Sequence, residues 1–221
     1  QIAGHHEQAG QRVEAVEYRI RAAEAATRVF AHQEALSQYT LALSDGAAGR
    51  VKLMVHLARA ALLFHASEFS AVAAELTLAS RLAATLGAPD LAARVSLAEA
   101  GLQNALGRYS EVLTMTEPLL SGGGRPSRLQ ASLQYERSVA LLRLGRLGEA
   151  EAGLNDAITQ VPPDAHDLIG HLQTLLQACA MQRGLLPQAQ THNALARQAF
   201  QAAGNRLGAV KALGGQGLLT G

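Results

Sequence analysis

Tryptophan is absent from this chain of 221 residues, and aromatic residues as a whole reach only 4%. A core assembled around large rings is therefore excluded. Cysteine occurs once, at Cys179, so an internal disulfide framework is excluded too. Within "LLQACAMQRG" the cysteine reads as a small buried hydrophobe. The one basic residue near it is Arg183 at i+4, too little to mark a reactive thiol. A chain without disulfides suits a reducing cytoplasm. An excess of either charge is also missing: 19 Lys plus Arg face 18 Asp plus Glu, for a formal net charge of +1. No broad field is available to gather nucleic-acid phosphates. No apolar run approaches the ~18–20 residues that cross a bilayer. The N-terminus also lacks the basic, apolar and small-residue succession of a signal peptide. A soluble chain is expected. It begins with Gln and stops at "GLLTG", which suggests a piece of something longer.

What remains is apolar content of 48%, carried mainly by Ala and Leu, both strong helix formers. The stretch "LGRLGEAEAGLNDAI" from Leu144 recurs as "LGRYSEVLTMTEPLL" from Leu106, "ASEFSAVAAELTLAS" from Ala66, "RGLLPQAQTHNALAR" from Arg183 and "VFAHQEALSQYTLAL" from Val29. The place of Gly145 is held in chain order by Phe30, Ser67, Gly107, Gly145 and Gly184, at steps of 37 to 40 residues. Five residues on stand Ala35, Val72, Val112, Ala150 and Ala189. Seven beyond those stand Ala42, Ala79, Leu119, Ala157 and Ala196.

Seven residues make two helical turns, so each pair lies on one face, where small side chains let a neighbouring helix approach closely. A glycine just before suits the left-handed position that ends the preceding helix. Between these turns, Leu53, Leu57, Ala60, Ala61 and Phe64 follow amphipathic helical spacing, and no strand pattern appears. Breakers fall at 44–49, 86–90, 121–127, 161–165 and 202–208. Each unit is thus helix, short turn, helix, longer turn. "AGQRVEA" at 9–15 is expected to start the first helix.

At these residues the chain resembles the tetratricopeptide repeat family, whose units carry a helix-ending glycine, an alanine, a second alanine seven residues on and often a proline five after that. Gly145, Ala150, Ala157 and Pro162 fit all four places. Two features depart from the pattern. The period exceeds the usual ~34 residues, and the large aromatic early in each first helix is missing. Longer units of this kind are similar to those in the sensor regions of maltose-activator-like and related signal-transduction ATPase regulators of bacterial transcription. His6, Ala9, Gly10, Ala15, Tyr18, Ala22, Ala23, Ala26, Glu34, Ala35, Tyr39, Ala42 and Leu43 carry that likeness.

The resemblance implies an all-α fold: one domain over residues 1–221, a right-handed α-solenoid of five to six helix hairpins, cut from a longer regulator. It also implies an inner face built from the first helix of each unit. Carrying inner-face positions over by spacing selects Glu17, Glu24, Arg28, His65, Arg94, Asn104, Tyr135, Arg143, His171 and Gln182 as groove candidates. Unpartnered, they form a solvated wall. As a site, they hold a protein, a peptide or a small effector, with Tyr135 as aromatic anchor and arginines pairing carboxylate or phosphate. The clamp that some family members close on a chaperone's C-terminal carboxylate needs an Asn late in the first helix. Here the matching positions are Glu24, Ala61, Gly101, Val139 and Ala178, so the clamp is absent.

Catalysis finds little support. His5 and His6 point ~100° apart on a helix, and His166 and His171 ~140° apart, so neither pair converges on a metal. His56 and His65 fall on opposite faces. "SGGGRPS" lacks the Lys-Ser or Lys-Thr of a phosphate loop, and "LGGQGLLTG" has no dinucleotide fingerprint. Asp45, Asp90, Asp156, Asp164 and Asp167 fall mostly at turns and helix starts, where capping explains them. The expectation is a non-catalytic sensor or interaction segment without cofactor, metal, nucleic-acid contact or membrane contact. The alternatives are a free-standing scaffold for protein–protein interaction and self-association through terminal repeats.

Overall fold

The computed structural model describes residues 2–121 and 127–217, with side chains over 11–121 and 127–212. His5, His6, Ala9 and Gly10 lie outside the described side chains. Most of "SGGGRPS" and the end of "LGGQGLLTG" lie outside the described residues altogether. The described residues form helices and turns with no strand. The helices are α1 (Ile2–Arg28), α2 (His32–Ser44), α3 (Gly49–His65), α4 (Phe69–Leu86), α5 (Pro89–Ala105), α6 (Tyr109–Ser121), α7 (Arg128–Arg143), α8 (Leu147–Gln160), α9 (His166–Gln182), α10 (Leu186–Ala202) and α11 (Arg206–Gly217). They gather into two compact units, residues 1–102 and 103–221. In the first, α1 pairs with α2 and α3 with α4. In the second, α7 pairs with α8 and α9 with α10, while α11 packs on α10.

The five short turns close identically. Phe30, Ser67, Gly107, Gly145 and Gly184 have φ of 60°, 61°, 74°, 74° and 71°. At each, the next residue's N–H reaches back to the carbonyl five residues earlier: Ala31 to Ala26, Glu68 to Leu63, Arg108 to Gln103, Arg146 to Leu141 and Leu185 to Ala180, all at 2.9–3.0 Å. This is the Schellman ending, which satisfies carbonyls the helix leaves open and needs a left-handed residue. The same bond follows Gly46, Gly87 and Gly204 at longer turns. At 161–165 the stop is different: Val161 is extended and Pro162 cannot continue the helix.

The small-residue columns are the packed face. Ala35, Val72, Val112, Ala150 and Ala189 are 0–2% exposed, as are Ala42, Ala79 and Ala196. Leu119 departs from its column and is only half-buried. A third column the spacing did not single out lies four residues beyond the first column in each second helix. Tyr39, Leu76, Thr116, Leu154 and Asn193 are all buried there. Together the three columns make an i, i+4, i+7 stripe.

Three expectations need correction. α1 begins at Ile2, not at 9–15. The face assigned to α3 is too narrow: Ala61 and Phe64 are exposed, whereas Val55, His56, Leu62 and Leu63 are buried. A first helix has neighbours on two sides, α2 and α4 for α3, so its burial wraps past a single stripe. Finally, the 18-residue α4 is long and apolar enough to cross a membrane by length and composition, with a mean hydropathy of 1.2. It nonetheless carries Glu75, buried in an ion pair.

Candidate functional site

All ten groove candidates fall on first helices: α1, α3, α5, α7 and α9. Their environments divide them. In the first unit, Glu17 is an exposed partner of Arg21 at 2.8 Å, and Arg28 and Arg94 are exposed. His65 stacks on His32 with centroids 5.9 Å apart. Glu24 borders a small hollow with Tyr39, whose phenol is pushed up first by burial and then by Glu24. A larger cavity of about 690 Å³ lies beside it, walled by Val13, Val16, Ile20 and Val51, with Glu17 at its edge.

Beneath this face lies a buried charge cluster that spacing did not reveal. Glu75 of α4 accepts from His56 Nδ1 at 2.6 Å and from Arg59 Nε at 2.8 Å. Arg59 also donates to Thr40 of α2. His56 and Glu75 are 4% and 8% exposed, so the Glu75 carboxylate has lost its water and depends on the donors of His56 and Arg59. The signal available was an acid on the apolar α4, three residues after Val72 and four before Ala79, and so on the face those two define.

In the second unit, the Asn104 amide nitrogen is already engaged. Nδ2 donates to the Glu136 carbonyl at 2.9 Å and to Glu136 Oε2 at 2.7 Å. Burial raises the Glu136 carboxyl, and the Asn104 bond opposes that shift. Arg143 stands exposed in the last turn of α7. Tyr135, His171 and Gln182 do converge: they wall one cavity of about 660 Å³, a volume typical of ligand sites. Tyr135 meets His171 edge to face at 6.1 Å, and His171 meets Phe200 at 5.1 Å. Burial, and behind it Glu136, pushes the Tyr135 phenol up.

Phe200 forms the floor and is 3% exposed. It fits because α9 and α11 each offer a glycine. A Cβ on Gly170 would lie 2.6 Å from the ring, and one on Gly208 2.7 Å. Spacing missed Phe200, Met181 and Lys211 in this cavity. A mid-helix glycine in "LIGHLQ" was the usable signal, since it costs helix stability unless something approaches closely.

Donor directions in the cavity are fixed from behind. Asn193, 1% exposed, donates to Gln177 Oε1 at 3.1 Å and to the Ala212 carbonyl at 2.8 Å. The Gln177 amide oxygen is thereby engaged, which holds this wall of the cavity in place. Thr174 donates to the Gly170 carbonyl at 2.9 Å. Asn205 accepts from Gly208 N at 2.8 Å, capping α11, and donates to Asp167 at 2.6 Å. Asp167 in turn lies 3.7 Å from His171 Nε2. Among the described residues no group of three or more His, Cys, Asp or Glu is placed to hold a metal. Cys179 is fully buried, its thiol pushed up to about 11 by burial first and Glu151 second.

Stacked helix hairpins with repeated left-handed turns and a small-residue stripe define an all-α, tetratricopeptide-like helical repeat fold. Solved structures share it. PilW, a widely conserved type IV pilus biogenesis factor, superposes with a TM-score of 0.65 at 16% identity, over 89% of this chain and 90% of that one. BtubC from P. vanneervenii superposes with a TM-score of 0.55 at 15% identity, over 94% and 90%. No family model matches the chain, and no curated protein matches it.

Proposed function

We propose that this chain is a non-catalytic interaction segment that binds a protein or peptide through the inner face of its first helices. The observation that carries this reading is the convergence of Tyr135, His171 and Gln182 on one aromatic-floored cavity in the second unit. The hydrogen-bonded groups behind it hold its walls in place, and such preorganisation lowers the entropic cost of binding. Selection from a displayed random peptide library tests it. The expected outcome is enrichment of peptides whose binding is lost in a Tyr135→Ala, Met181→Ala double variant that keeps the parent's helical signal. Failure to enrich any peptide, or undiminished binding by that variant, overturns the reading.

The opening stretch from His6 to Leu43 supports a finer placement: the repeat-containing sensor of a cytoplasmic bacterial transcriptional activator. Its nucleotide- and DNA-binding parts would lie outside this single repeat domain. Partner binding would then shift the regulator between resting and active forms, which requires different affinity for the two. Extending the encoding reading frame in both directions tests it. A phosphate-binding loop upstream or a helix-turn-helix at either end is expected. Their absence from the complete frame leaves the scaffold alone.

A further inference from the structure

We propose that the first unit holds a separate site for a fatty-acid-like monocarboxylate, its anionic head at Arg12 and its apolar tail laid between α1 and α3. This goes beyond the interaction reading above and shares no residue with the cavity of the second unit. Three hollows follow one another along α1. The first is polar, with Gln11, Arg12, Ser44 and Asp45 in its wall. The second, of about 690 Å³, shares Arg12 and Asp45 with it and turns apolar through Val13, Val16, Ile20 and Val51. The third, of about 310 Å³, shares Ile20 and Val51 with the second and continues past Met54, Val55 and Ala58 to Tyr39. One end is polar and the rest is apolar, which is the profile of an amphiphile.

Length agrees with a chain. From Gln11 to Glu24, α1 rises about 20 Å. An extended carbon chain of that span has roughly a dozen carbons or more. Val13, Val51 and Met54 stand exposed along this stretch, so a tail laid there displaces water from aliphatic surface. Tyr39 offers the only ring among the residues that wall the three hollows, which favours a flexible alkyl tail over a flat aromatic one.

Charge sets the head and its direction. Of the acids at the polar end, Glu17 is paired with Arg21 at 2.8 Å and Asp45 with Arg19 at 3.3 Å. Arg12 has no hydrogen bond or ion pair among the described residues. One positive charge is thus left over where the hollow is polar, and a guanidinium can give a carboxylate two parallel donors. At the far end the balance reverses. Arg50 is bound to Asp90 at 2.6 Å, and the Glu24 carboxylate has no ion pair among the described residues. An anionic head is attracted to one end and repelled from the other, so the tail runs toward Tyr39.

Dodecanoate and dodecyltrimethylammonium carry the same tail and opposite charges. Each is titrated into the whole chain by calorimetry, below the concentration at which it forms micelles. The expected result is one dodecanoate per chain, bound about tenfold tighter than the cation, which corresponds to ~1.4 kcal/mol. The margin should shrink at high salt. Octanoate should bind ~100-fold more weakly than dodecanoate, because its tail is four methylenes shorter. Arg12→Met, at an exposed position, should erase the charge margin, and Arg12→Lys should keep most of it. Val51→Glu puts a carboxylate in the wall that the two apolar hollows share and should abolish dodecanoate binding. An acid in the first turn of α3 favours that helix, so this variant should keep the parent's helical signal. No binding of dodecanoate, equal binding of the two amphiphiles, a margin untouched by Arg12→Met, or full binding by folded Val51→Glu overturns the inference. Binding to phosphatidylglycerol vesicles but not to free dodecanoate assigns this face to a membrane and overturns it as well.

Discussion

Replacing Ser67 with glycine should stabilise the first unit. Ser67 sits at φ 61°, in the turn position that glycine fills at 107, 145 and 184. Its backbone bonds are the ones the glycine copies make: Ser67 N to Phe64 O at 3.0 Å and Glu68 N to Leu63 O at 3.0 Å. The change therefore alters strain and leaves hydrogen bonding alone. At the three glycine copies a Cβ would meet nothing within 4 Å, so packing is not at stake either. A left-handed L-residue costs ~1–2 kcal/mol. Glycine gives back roughly 0.5–1 kcal/mol of that through the entropy of the unfolded chain. The net expectation is a gain of about 0.5–1 kcal/mol, read as a higher urea midpoint at unchanged slope. In a thermal melt it corresponds to ~2 °C. Ser67→Ala should be nearly neutral, because alanine meets the same backbone barrier. Gly145→Ala should cost about 1 kcal/mol. A lower midpoint for Ser67→Gly, or an equal rise for Ser67→Ala, would refute the assignment of strain to this turn. Phe30 shares the geometry at φ 60°, but its ring also contacts His32, so Ser67 is the cleaner test.

Three further outcomes follow from the same geometry. Gly170→Ala puts a Cβ 2.6 Å from the Phe200 ring, and calorimetry should show ~1–3 kcal/mol of destabilisation together with weakened peptide binding. Glu75→Ala leaves the buried donors of His56 and Arg59 without their acceptor and should cost about 3 kcal/mol of stability, read as a lower urea midpoint; a neutral result would show that water reaches the cluster. Cys179 should resist thiol reagents at pH 8 until the chain unfolds. Its folded pKa is raised from 9.0 to about 11, so the native state holds its proton more tightly than the unfolded state. That stabilisation is fully present below the unfolded value and is lost as pH rises from ~9 to ~11. Cys179→Ala should flatten that limb of the pH–stability curve.

Much of the fold was legible because its signals are local. A left-handed residue, an alanine five places on and another at seven more belong to one turn and one helix, and they recur whatever the rest of the chain does. The positions of Gly107, Gly145 and Gly184 are correct even where Phe30 and Ser67 disguise the motif. The candidate cavity was legible only in part. Inner-face spacing found Tyr135, His171 and Gln182, yet the same rule also chose Asn104, whose amide is bound to Glu136, and Glu17, which pairs with Arg21. It missed Phe200, which lies on a second helix and reaches the cavity only because glycines on α9 and α11 leave room for its ring.

The amino-acid order by itself determined the repeat: the 37–40-residue period, the helix pairs, their turns and the stripe of small residues along which they pack. Tertiary structure alone decided which side chains share a space, bringing Lys211 and Gln177 around an aromatic floor and closing His56, Arg59 and Glu75 into one buried cluster. The physical reason is range. Helix periodicity and turn conformation are set by neighbours a few residues apart, whereas a site is set by how helices far apart in sequence lie against one another. That depends on every side chain between them.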